Sequence, residues 1–229
     1  LAISGFGEVP NTTYDLLEAH KGKMLCEKLN GRNEVFSREL DVVQQMLEKN
    51  RQQIREDNYR QPFFETAQVV YDAAVSNAFD QNNPAAAFEY AETSKARSLL
   101  DFVRSKKTIA EVEAQYGNVA SPLNLKEIQS RIPVNVQLVL YSLLEKRLAK
   151  WLVTRDSFSV SVTDIEAAGL EKQITEYERL LQKGDSSEQA RNAAQAFYSI
   201  LIPARLERQK MFCFVGDKVI HRVPFASLM

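Results

Sequence analysis

Histidine and cysteine are scarce, with two of each in 229 residues. Two cysteines, Cys26 and Cys213, are too few for the disulfide framework of a small secreted fold. A reduced, cytoplasmic setting is therefore expected, with both side chains as small buried apolar groups. His20 and His221 are isolated and have no companion ligands at metal spacing, so neither a metal nor another cofactor is expected. Eight glycines and seven prolines leave little room for long disordered linkers. Lys and Arg (29) balance Asp and Glu (30), which removes any bulk electrostatic reason to expect nucleic acid. No apolar run approaches the ~18 residues of a membrane span. The stretch Leu1 to Gly7 is apolar but lacks the basic flank of a secretory signal, and Gly5-Phe6-Gly7 lacks the Gly-Lys-Ser/Thr of a phosphate loop. The missing initiator Met and the apolar ending Pro224 to Met229 read as a piece of a longer chain, its end tucked under something later.

Hydrophobic residues supply 45% of the chain, enough for a core. The first half reads as helices. Asn11 to Leu29 carries apolar Leu16, Leu17, Met24 and Leu25 and is stopped by Asn30-Gly31. Asn33 to Asp57 repeats Val35, Phe36, Leu40, Val43, Met46, Leu47 and Ile54 at helical spacing. A third helix opens at Pro62 and ends at Gln81-Asn82-Asn83, and a fourth starts from Asn83-Pro84 and runs to Arg104. Four helices in this order form two successive hairpins, which bury their apolar faces by stacking. Thr108 to Ser121 reads as a connector, and Leu123 to Gln129 as a short helix closed by Pro133.

The period then changes. Val136 to Leu144, Arg147 to Thr154 and Phe158 to Val162 read as a three-stranded meander. Asp164 to Lys183 and Ser186 to Ile202 read as helices. Lys210 to Val215 and Val219 to Val223 read as strands joined by a turn at Gly216-Asp217-Lys218. Strand, helices and strand of these lengths suit a crossover and an α/β layer, so the fold class is mixed α+β or α/β.

Several motifs occur in a telling order. They are Ala91-Glu92-Thr93-Ser94-Lys95-Ala96-Arg97 on the fourth helix, Trp151 to Arg155, Phe197 to Pro203, and Phe214-Val215-Gly216-Asp217 with His221, Pro224-Phe225 and Leu228. Together they resemble proteins in which tetratricopeptide-type (TPR) repeats precede a caspase-like CHAT domain. Gly216 stands where that family usually has Pro, and Lys218 where it usually has Gly. The resemblance covers roughly Arg51 to the end. It implies TPR-like hairpins over 1–107, a connector over 108–127 and the N-terminal part of a CHAT domain over 128–229. It implies a cysteine endopeptidase with a His–Cys dyad beyond Met229, the repeats serving as a regulatory module that binds a protein or peptide. Partners expected on this reading are a ligand of the repeats and the missing remainder of the CHAT domain. Self-association is the expected alternative, and a scaffold without the dyad is the alternative function.

No catalytic, cofactor-binding or metal residue is assigned within the chain. Cys213 and His221 fall on neighbouring expected strands, but a thiol inside Met-Phe-Cys-Phe-Val is expected to be buried and unreactive. His20 is expected at the surface. Arg51, Arg55 and Arg60 are interrupted by Glu56 and Asp57 and read as a solvated face. Glu92, Lys95 and Arg97 read as helix-surface pairs or as holding the junction between repeats and domain.

Overall fold

A computed structural model of the chain describes residues 13–53, 57–106, 122–182, 188–207 and 209–228. The chain divides into two compact units, Leu1–Leu123 and Asn124–Met229.

In the first unit the turn chemistry sets the helix ends. Helix α1 (Thr13–Leu29) stops where Gly31 adopts φ 69°. There the Gly31 and Arg32 N–H groups donate to Lys28 O and Glu27 O, both at 3.0 Å, a Schellman closure. Helix α2 (Asn33–Gln53) packs antiparallel against α1. Helix α3 (Asp57–Asp80) ends the same way, with Asn82 at φ 55° and Asn83 N–H donating to Ala78 O at 2.8 Å. Asn83 then caps α4 (Pro84–Lys106): its Oδ1 accepts from Ala86 N–H at 3.1 Å. Pro84 takes the first helical position, where its missing N–H costs nothing. Leu17 and Met24 of α1 share a core with Phe36, Leu40, Val43 and Leu47 of α2 and with Phe63, Val70 and Ala74 of α3. Each large side chain buried this fully contributes about 1.5–3 kcal/mol.

In the second unit α5 (Leu125–Arg131) begins with a capping box. Asn124 Oδ1 accepts from Glu127 N–H at 3.0 Å, and Glu127 Oε2 accepts from Asn124 N–H at 2.9 Å. Strands β1 (Val136–Leu143), β2 (Arg147–Val153) and β3 (Phe158–Asp164) form the expected antiparallel meander. Helices α6 (Ala167–Gln182) and α7 (Glu188–Leu201) carry the chain to β4 (Met211–Val215), which pairs parallel to β1. The order is β3-β2-β1-β4. Val139, Tyr141, Leu148 and Leu152 meet Leu170, Ile174 and Tyr177 of α6 and Phe197 and Leu201 of α7. On the opposite face Leu140, Ala149, Trp151 and Val153 are buried as well, which accounts for the nearly unbroken apolar run of β1.

The two edges of the sheet differ. β3 alternates Val160 and Val162 with Ser159, Ser161 and Thr163 and ends on Asp164, the mixed polar pattern that discourages further pairing. β4 carries no charge and no proline, and Met211 and Cys213 are exposed along it.

Three expectations are corrected. Val219 to Val223 is not a strand: Lys218–Arg222 forms a 3-10 turn, with a second at Phe225–Ser227. β4 pairs with β1 only as far as Leu140, and beyond it two side chains take the place of a strand. The Leu143 N–H donates to Asp217 Oδ2 at 2.7 Å, and Lys218 Nζ donates to Leu143 O at 2.6 Å. The apolar ending packs on its own unit: Ile220, Val223 and Leu228 join the core, and Phe225 stacks between Tyr141 and Phe214 with ring centroids 5.6 and 4.4 Å away. Neither cysteine is buried, because Cys213 lies on an edge strand and Cys26 lies on the outer side of α1. Among the described residues no helix is long and apolar enough to cross a membrane.

Candidate functional site

The carboxyl ends of parallel strands are where α/β layers usually build sites. Here a shallow cleft of about 420 Å³ opens beside the end of β1. Leu143, the first turn of α6 at Ala167 and Ala168, Glu171, Lys218 and Arg222 line it. Both of its cations are already paired or bonded. Lys218 is bonded to Leu143 O, and Arg222 Nε donates to Glu178 Oε1 at 3.1 Å while Nη2 donates to Glu178 Oε2. That carboxylate raises the pKa of Arg222, with Glu171 adding to the effect. Among the described residues no thiol, hydroxyl or imidazole lines the cleft, and its one amine, Lys218, is engaged with the Leu143 carbonyl, so it offers chiefly hydrogen bonding and charge.

Cys213 lies on β4, and His221 is on the 3-10 turn, its ring against Gly216. A Cβ on Gly216 would fall 2.9 Å from His221 Nδ1 and 3.0 Å from the His221 backbone N. The neighbouring-strand placement of the two residues is not seen, because Lys218–Arg222 forms a 3-10 turn.

The densest polar groupings lie in the first unit. Contrary to the surface reading, His20 is largely buried, and its Nδ1 sits 2.8 Å from Glu39 Oε2. Lys23 Nζ reaches the other oxygen of the same carboxylate. Burial pushes the Glu39 carboxyl up, but the hydrogen bonds from Lys23 and His20 outweigh it and hold the group below its ordinary range. Thr66 on α3 donates to Glu18 Oε1 at 2.7 Å and lies within reach of Lys21 and Tyr14, tying α3 to α1. Periodicity alone could not reveal either cluster, because each joins residues sixteen or more positions apart.

Arg97 reaches beyond its own helix. Its Nε lies 3.2 Å from Glu48 Oε1 on α2, so it ties the second hairpin to the first. The Glu92 carboxyl is pushed up by burial, partly offset by Lys95, and its Oε2 is buried without a hydrogen-bond donor. Arg55 and Gly5-Phe6-Gly7 lie outside the described residues, as do the side chains of Arg51 and Arg60. Among the described residues no group of three or more His, Cys, Asp or Glu side chains is placed to hold a metal ion. No protein-family model, no curated protein and no solved structure matches the chain.

Proposed function

We propose that the chain is the protein-interaction and regulatory segment of a TPR-CHAT caspase-like cysteine peptidase, and that it is itself catalytically incomplete. The observation that carries the reading is the backbone of Lys218. It adopts φ 47°, a left-handed conformation that favours glycine, at the position where the family usually has Gly. The element order agrees: two helical hairpins, then a meander, a two-helix crossover and a parallel strand. On this reading the hairpins are TPR-like and take a protein or peptide ligand, the protein is cytoplasmic, and neither nucleic acid nor membrane is a partner. The remaining strands of the CHAT domain pair along β4, whose uncharged edge suits them; without them the chain self-associates there.

The second reading is a repeat scaffold that has lost the dyad, favoured by the replacement of the family's Pro by Gly216. Extending the reading frame past Met229 and assaying the longer protein separates the two. A His-Gly turn, a later Cys after a strand and peptide cleavage abolished by Cys→Ala at that position establish the peptidase. Inert residues at both positions leave the scaffold. A reading frame that ends at Met229, with a monodisperse monomer in dilute solution, removes the proposal.

A further inference from the structure

We draw no further inference here: the strongest candidate, the open outer edge of β4 with Met211 and Cys213 exposed along it, is an uncharged strand edge, and nothing in the structure shows what covers it.

Discussion

Tyr141 and Lys150 face each other directly across β1 and β2, and both donate to the last turn of α7. The Tyr141 hydroxyl reaches Leu201 O at 2.8 Å, and Lys150 Nζ reaches Ile200 O at 2.5 Å. The final carbonyls of a helix have no partner within it, and its C-terminal end favours a cation. The sheet thus supplies two of the donors that the helix end needs, from one cross-strand pair. Burial drives the two side chains in opposite directions: the Tyr141 pKa is raised and the Lys150 pKa is lowered.

Tyr141→Phe is expected to cost about 1–2 kcal/mol at neutral pH, from the lost hydrogen bond and the orphaned Leu201 carbonyl. A group whose folded pKa is raised contributes stability that is full below its unfolded value and lost as pH rises through the folded one. The gap between wild type and Tyr141→Phe should therefore narrow as pH rises past 10.0, the ordinary phenol value. Urea titrations followed by Trp151, the one tryptophan of the chain and fully buried, measure this. A gap that stays constant to pH 11 sinks the account.

Glu39→Gln should destabilise the first unit by about 1.5–3 kcal/mol, since one carboxylate serves both Lys23 and His20. The folded pKa of Glu39 is lowered, so its contribution is present above the unfolded carboxylate pKa and is lost as pH falls through the folded value. Thermal melts by circular dichroism between pH 7 and 3 should show a shallower acid loss for the variant than for wild type. Parallel curves would remove Glu39 from the explanation.

Three backbone positions should respond differently. Gly31→Ala meets no atom within 4 Å but must adopt φ 69°, so a loss of about 1 kcal/mol is expected. Gly216→Ala fails through contact rather than dihedral angle, at about 1–3 kcal/mol. A companion His221→Ala should not rescue it, because two of the three close atoms belong to the His221 backbone. Lys218→Gly should be tolerated to within about 1 kcal/mol, relieving a left-handed backbone while losing the bond to Leu143 O, whereas Lys218→Val should cost more. Equilibrium unfolding of the four single variants and the double tests the ranking.

Both thiols should react with an aromatic disulfide reagent in the native protein, without denaturant, because Cys26 and Cys213 are exposed. One equivalent or none would contradict the placement of β4 at the sheet edge or of Cys26 on the outside of α1.

Much of this fold is legible wherever the signal is local. Asn30-Gly31 and Asn82-Asn83-Pro84 mark helix ends because capping and left-handed turns depend on the residues themselves. The change from helical to alternating period marks the sheet. What escapes is set by distant neighbours. Val219 to Val223 has strand-like composition, yet the vacancy beside Leu143 is filled by Asp217 and Lys218, a relation across more than seventy positions. Cys213 has buried-strand neighbours, but exposure depends on the order of strands, which no single segment encodes. His20 sits beside Lys21 like a surface residue, and only the approach of α2 brings Glu39 to it.

The parallel pairing of β4 with β1 also bears on the order of assembly. β1 reaches β2 through residues 144–146, whereas β4 arrives only after residues 144–210. Closing the longer loop costs more chain entropy and must await two helices. The meander can therefore condense early, with β4 docking as a late step and peeling away as an early step of unfolding. Amide hydrogens where β4 meets β1 should exchange before those between β1 and β2, so the uncharged edge strand is also held less firmly in time than the centre of the meander.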